Sequence, residues 1–290
     1  MERILLTTKP QKDYELLDSG GEEKLERYGN VLLSRPDPQA LWPKQLPEGE
    51  WTKANARYIR EGNTGKWVGE LPKEWPIELG NLKFLIRPTP FKHTGLFPEQ
   101  ICNWEWAGEL IRGAGRPVSA LNLFGYTGGA SLAAAAAGAS VVHVDASKTA
   151  VAWARENAEL SGLADKPIRW ITEDVKLFVE RELKRGNRYD LILMDPPAFG
   201  HGPKDELWKI EEDLLPLIEA CTRLLSETPV GMLVNGYAAG YSPLAFAYNL
   251  EPLAQKMGGA TEYGDLTIEE KGSGRLLPCG IFARWRAKNL

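Results

Sequence analysis

Leu121-Asn-Leu-Phe-Gly-Tyr-Thr-Gly-Gly129 decides the fold. An apolar run enters a cluster of glycines, and an Ala-rich segment leaves it. Locally this is a strand, a tight turn and the start of a helix. Gly125, Gly128 and Gly129 let the backbone turn sharply and pass close to a ligand. The first N–H groups of the following helix have no intrahelical partner, so they can meet polar ligand atoms. The spacing is not Gly-x-Gly-x-x-Gly, which weakens a dinucleotide reading. A plain strand-to-helix turn with no ligand is the alternative.

The same alternation continues on both sides. Apolar runs of strand length lie at 118–124, 140–145, 168–172, 190–194 and 230–234. Helical segments follow them at 128–137, 148–161, 174–185, 206–226 and 242–257, and a further helix runs from Pro98 to Arg112. Continuous apolar strands separated by helices imply a parallel sheet covered on both faces. The end breaks the rule: 261–269 and 275–285 are two extended segments joined by Lys271-Gly-Ser-Gly, which reads as a hairpin. The expected architecture is α/β and Rossmann-like, with five parallel strands and a terminal antiparallel pair making seven.

Residues 1–90 read differently. Short extended pieces are cut by turns: Asp18-Ser-Gly-Gly follows Tyr14-Glu-Leu-Leu, and Pro36 and Pro38 stop Val31-Leu-Leu. Asn81 to Arg87 reads as a strand entering Pro88-Thr-Pro90. This predicts a small β-rich module over 1–90, available for substrate recognition, ahead of a larger domain over 91–290.

Composition narrows the function. The 290 residues carry a net charge of −4, against the basic footprint of a general nucleic-acid binder, although a local basic face can sit on an acidic protein. No run reaches the roughly 18 apolar residues of a membrane span. Met1-Glu2-Arg3 followed by Ile4-Leu5-Leu6 is too short and too soon polar for a signal peptide, so the expected location is cytoplasmic. Three scattered cysteines and three histidines form no ligand spacing, and no metal is expected.

Three carboxylate motifs complete the candidate site. Asp145 ends Val141-Val-His-Val-Asp, 20 residues after Gly125. At a strand tip it can hold both ribose hydroxyls of a nucleoside, or it can cap the next helix. Ser147 can take the cap instead. Glu173-Asp174 follow the third strand, where a carboxylate can accept an adenine amino group, although Asp174 is also a good helix cap. Asp190-Leu-Ile-Leu-Met-Asp-Pro-Pro-Ala-Phe199 is the sharpest signal. Pro196 and Pro197 fix the backbone and remove two N–H donors. Asp195 and the neighbouring carbonyls then form an acceptor-rich rim for an amino or ring nitrogen of a flat base, on which Phe199 can stack. The bland alternative is a rigid turn with a buried Phe.

At these residues the chain resembles bacterial methyltransferases related to the large-subunit ribosomal RNA cytosine-C5 and guanine-N7 enzymes. Phe91-Lys-His-Thr-Gly-Leu-Phe-Pro-Glu-Gln, Phe124-Gly-Tyr-Thr-Gly-Gly and Asp195-Pro-Pro-Ala-Phe carry the resemblance over roughly 81–285, and Asp13-Tyr-Glu-Leu-Leu-Asp-Ser-Gly extends it forward. It implies a class I fold, S-adenosylmethionine as cofactor and methyl transfer to a base in RNA, most of all ribosomal RNA. It also implies roles. Lys92, His93, Thr94, Gly95 and Gln100 would border the cofactor. Phe124, Gly125, Tyr126, Thr127 and Gly128 would hold its amino-acid end, Asp145 with Ala146 and Ser147 its ribose, and Glu173 and Asp174 its adenine. Asp195, Pro196, Pro197 and Phe199 would face the substrate.

Two features depart from the cytosine-C5 relatives. Their front module is of another kind, and they place a Cys near the end of the fifth strand, where this chain has Leu233-Val-Asn-Gly-Tyr. Ring carbon C5 needs a thiolate to add first. Cys221 and Cys279 read as packing residues, and His143, alternating inside a strand, reads as core. The remaining alternatives are a methyltransferase for a small molecule or protein, a nicotinamide oxidoreductase, and a non-catalytic nucleoside-binding module.

Overall fold

The computed structural model describes every residue except Asn63, Ala238, Ala239, Asn289 and Leu290. The chain divides into two compact units: one of residues 1–6, 102–265 and 280–290, the other of residues 7–101 and 266–279. The division differs from a boundary at 90, because 91–101 and 266–279 group with the front segment.

After β1 (Glu2–Thr8) come β2 (Tyr14–Gly20), β3 (Glu23–Tyr28) and β4 (Val31–Pro36), the short helix α1 (Glu48–Trp51), β5 (Ala56–Glu61), β6 (Thr64–Gly69), β7 (Trp75–Leu79) and β8 (Leu82–Ile86). β2 to β6 form a five-stranded sheet in sequence order, and β7 pairs with β8. Asp18-Ser-Gly, expected as a turn, belongs to β2, and the chain reverses at Gly21-Glu22. The reason is tertiary. The Asp18 carboxylate accepts the Trp51 indole N–H at 3.0 Å and Arg275 at 2.8 Å, so its polar side chain is satisfied inside the strand. Glu26 is likewise fully buried, held by Arg35 and by the Tyr14 hydroxyl at 2.9 Å. Such a buried pair adds little net stability, but removing one partner strands a charge.

A 3₁₀ turn, Pro98–Gln100, leads into α2 (Ile101–Gly113), where one helix was expected from Pro98. The alternation follows: β9 (Ser119–Leu123), α3 (Gly129–Ala136), β10 (Ser140–Asp145), α4 (Lys148–Leu160), β11 (Ile168–Thr172), α5 (Val175–Arg185) and β12 (Leu191–Met194). A short hairpin, β13 (Phe199–His201) and β14 (Leu207–Lys209), precedes α6 (Ile210–Leu224), so the helix expected from 206 starts four residues later. β15 (Gly231–Gly236), α7 (Pro243–Met257), β16 (Ala260–Glu269) and β17 (Leu276–Arg286) finish the chain.

The large sheet has the order β1-β16-β17-β15-β12-β9-β10-β11. β11, β10, β9, β12 and β15 are parallel, and β17 runs antiparallel to β15. Every residue of β12 and β15 is buried, as strands covered on both faces must be. The eighth strand is β1, whose short half-exposed pattern gave no strand signal. The order reverses between β9 and β12. In open α/β sheets ligands bind outside the carboxyl ends of the strands at such a reversal.

Candidate active site

The register levels the strand tips. Thr172 pairs with Asp145, Val144 with Leu123, Leu123 with Met194, and Met194 with Val234. Phe124, Asp195 and Asn235 each stand one residue beyond those pairs, so Asp145, Phe124, Asp195 and Asn235 follow one another across the carboxyl edge.

The loop after β9 has an unusual backbone. Phe124 and Tyr126 have φ of 57° and 47°, and Gly128 has φ of 95°. Left-handed conformations in two bulky residues cost energy and persist only where the surroundings hold them. A Cβ on Gly125 would lie 2.4 Å from the His143 ring, and one on Gly129 would lie 2.3 Å from Trp104. The loop therefore rests on a packed floor that only glycine permits. From outside, Asp145 Oδ2 accepts the Tyr126 N–H at 2.8 Å, and Asn157 Nδ2 donates to the Thr127 carbonyl at 2.9 Å. No side chain caps α3 at Gly128, so its first N–H groups, at half-buried Gly129 and Ala130, suit a carboxylate.

Asp145 is not a helix cap. Ser147 caps α4, its hydroxyl accepting the Ala150 N–H at 3.2 Å, while Asp145 Oδ1 accepts the Ser147 N–H at 2.8 Å. Burial raises the Asp145 pKa, and the two backbone donors partly offset it. Each carboxylate oxygen keeps a second lone pair for a hydroxyl donor. Half-buried Ala146 lies between these two residues.

Glu173 and Asp174 separate in role. Glu173 is paired with Arg181. Asp174 caps α5 through Oδ1, which accepts the Leu177 N–H at 3.0 Å. Its other oxygen faces Gly202, where a Cβ would stand 3.1 Å away.

At the tip of β12, Pro196 is buried, Pro197 and Ala198 are exposed, and Phe199 is 58% exposed rather than buried. The acceptor-rich rim needs correction: the Pro197 carbonyl accepts the Trp208 indole N–H at 2.7 Å, and the Ala198 carbonyl accepts the Ile210 N–H at 3.1 Å. Trp208 also meets the Phe124 ring edge-on, with centroids 4.9 Å apart, tying the hairpin to the glycine loop. His201 pairs with Asp205 at 2.8 Å on the exposed hairpin. Beside Asp195, Asn235 accepts from Asn103 at 2.9 Å, and Asn103 accepts from Arg284 at 3.3 Å.

Lys92, His93, Thr94, Gly95 and Gln100 fall in the front unit. Lys92 has φ of 65°, and its carbonyl accepts from Arg35 at 3.1 Å. Burial, then Arg35 and Lys92, push the His93 pKa down to about 4, so this imidazole is neutral. Thr94, Gly95 and Gln100 are buried, Gly95 with φ of 88°.

Sequence reading missed Trp104, Asn122, Ser131, Asn157 and Trp208. Asn157 had a usable signal: it stands in the buried stripe of α4 with Ala150, Trp153, Ala154 and Ala158, where a polar residue needs a partner. Cys221 is fully buried and burial pushes its thiol pKa far up, which leaves no thiolate.

A family model described as S-adenosylmethionine-dependent methyltransferase matches residues 45–224. A crystal structure of the SAM-dependent methyltransferase from Agrobacterium tumefaciens is 41% identical, with a TM-score of 0.95 over 99% of this chain and 95% of that one. A Shewanella baltica protein named ribosomal RNA large subunit methyltransferase K/L is 33% identical over 246 residues, 83% of this chain and 32% of that protein. Ribosomal RNA large subunit methyltransferase K of Neisseria meningitidis is 29% identical, over 71% of this chain and 61% of that one. The chain thus spans about a third of the length of the K/L relative it matches. With this fold, this glycine loop and these matches, the chain belongs to the S-adenosylmethionine-dependent methyltransferases, and its cofactor is S-adenosylmethionine.

Proposed function

We propose that the acceptor is a base in RNA, ribosomal RNA above all, and that it docks at Asp195, Pro196, Pro197 and Phe199. The observation that carries this is the Asp-Pro-Pro turn at the level of the glycine loop, followed by an exposed Phe199 ring. A flat base can stack on that ring while a donor on its edge meets the Asp195 carboxylate. The names of the K/L and K relatives support the RNA class. The −4 net charge favours the second reading, a small-molecule or protein acceptor.

The residues fit the cofactor. The packed glycine floor leaves the loop backbone as a ligand surface, and the uncapped α3 terminus suits the methionine carboxylate. On this proposal Phe124, Gly125, Tyr126, Thr127 and Gly128 hold the amino-acid end, and Asp145 takes the ribose hydroxyls beside Ala146 and Ser147. Asp174 and Glu173 border the adenine, and Lys92, His93, Thr94, Gly95 and Gln100 border the cofactor on the family pattern. S-adenosylmethionine supplies an already activated methyl group. The protein's task is then alignment: Asp195 orients the acceptor, Phe199 holds its plane, and the loop fixes the donor.

Methyl transfer from labelled S-adenosylmethionine to RNA, protein and metabolite fractions of cells lacking this protein tests the acceptor. Label should enter large-subunit ribosomal RNA. Label confined to protein or metabolites overturns the RNA reading.

A further inference from the structure

His143 sits where a core residue is expected, and it is fully buried. Its surroundings are not those of packing alone. Nδ1 lies 3.0 Å from the Ser131 hydroxyl, and Ser131 Oγ accepts the Asn122 side-chain N–H at 2.8 Å. Asn122 is in β9, which enters the glycine loop, Ser131 is in α3, which leaves it, and His143 is in β10, beneath it. The imidazole edge is also the surface that Gly125 rests on: a Cβ there would lie 2.4 Å from Cε1 and 2.5 Å from Nδ1. The Trp170 ring, 4.9 Å away between centroids, closes the other side. Three polar side chains thus brace the loop from before, after and below. They do so where Phe124 and Tyr126 hold left-handed backbone, which persists only if the surroundings enforce it.

We propose that His143, fixed by Ser131 and Asn122, is a positioning residue that sets the backbone of loop 124–128 for the methionine end of the cofactor. This rests on the cofactor placement proposed above. A filler of the same cavity would need only volume. A positioning ring needs its orientation, and the Ser131 hydrogen bond supplies it. A loop backbone displaced by a fraction of an ångström misaligns every group it presents.

The readout is affinity for S-adenosylhomocysteine by calorimetry, together with KM for S-adenosylmethionine, kcat and melting temperature. Ser131→Ala removes the orienting hydroxyl and leaves the ring in place. His143→Leu fills the space without polarity. His143→Asn returns a polar atom near the position of Nδ1. Ser131→Ala and His143→Leu should lose about tenfold in affinity and raise KM for S-adenosylmethionine in proportion, with kcat at saturation within about threefold, by analogy with losing a buried hydrogen bond. His143→Asn should recover most of the affinity. If His143→Leu does not fold, Ser131→Ala against His143→Asn carries the comparison. Folded Ser131→Ala protein that binds within twofold of wild type overturns the proposal. Asp145→Asn is the control. If it loses affinity while Ser131→Ala does not, only the positioning role fails. If neither variant changes affinity, the cofactor placement fails as well.

Discussion

Asp145 Oδ2 accepts the backbone N–H of Tyr126 at 2.8 Å, so the carboxylate ending β10 also braces the strained loop after β9. On the proposed cofactor placement, one side chain thereby shapes the glycine loop and offers its remaining lone pairs to the ribose. Asp145→Ala removes both. Losing two hydroxyl bonds to a charged acceptor should cost on the order of 2–4 kcal/mol of cofactor affinity. The Tyr126 and Ser147 N–H groups also lose their acceptor, so the melting temperature should fall too. Calorimetry with S-adenosylhomocysteine beside thermal unfolding checks both. Unchanged affinity with a lower melting temperature would leave Asp145 a loop brace alone.

Acid should weaken cofactor binding at a higher pH than an ordinary aspartate would dictate. Burial raises the Asp145 pKa above its usual 3.8. On the proposed placement the ionised form accepts the hydroxyl bonds, so affinity should be full above the raised pKa and fall as pH drops through it. The stability linkage has the opposite sign: a raised carboxyl pKa favours the fold at low pH and loses that contribution as pH rises. Affinity for S-adenosylhomocysteine measured from pH 7 downward should show the decline in wild type and a flatter profile in Asp145→Asn.

Most strands and the glycine loop were legible because apolar runs and glycines are local signals. β10 and β11 fall at their expected bounds. What was hidden depends on tertiary partners. The Thr89 and Pro90 carbonyls accept from the Trp67 indole and the Tyr58 hydroxyl, which packs the expected joint Pro88-Thr-Pro90 onto the front unit. β14 is three residues long and carries no pattern apart from the helix behind it, because Trp208 becomes a strand residue only by pairing with Gly200 of β13. Likewise Asp174 as cap and Glu173 as ion-pair partner separate only once α5 forms and brings its own Arg181 back beside Glu173.

Glu99 predicts a pH-dependent gain in stability. It is buried, and burial lifts its pKa from 4.5 to about 7. A raised carboxyl stabilises the fold below the unfolded pKa and loses that contribution as pH rises through the folded one. The ionisation penalty at high pH is on the order of 3 kcal/mol. Glu99→Gln removes the ionisation, so it should raise the melting temperature at pH 8 and change it little at pH 4. Equal shifts at both pH values would assign the effect to packing.

Asp195→Ala should abolish methyl transfer, on the order of a hundredfold or more, while affinity for S-adenosylhomocysteine stays within about tenfold. Location sets the split. Asp195 follows Met194, which pairs with Leu123 on one side and Val234 on the other, so it stands between the glycine loop and Asn235. The proposed ribose, adenine and carboxylate contacts all lie on the β9 to β11 side of that point. An alignment contact matters most in the transition state, so the loss falls on kcat rather than on cofactor binding. Asp195→Asn separates the charge from the shape: it keeps an acceptor oxygen, and partial activity would show that a hydrogen bond suffices. Cys221→Ser and Cys279→Ser supply the opposite case. Burial pushes both thiol pKa values far up, so neither offers a thiolate, and both variants should retain transfer. A folded cysteine variant that binds the cofactor but is dead in transfer would restore a thiolate-addition route. An active Asp195→Ala would reduce the Asp-Pro-Pro turn to scaffolding.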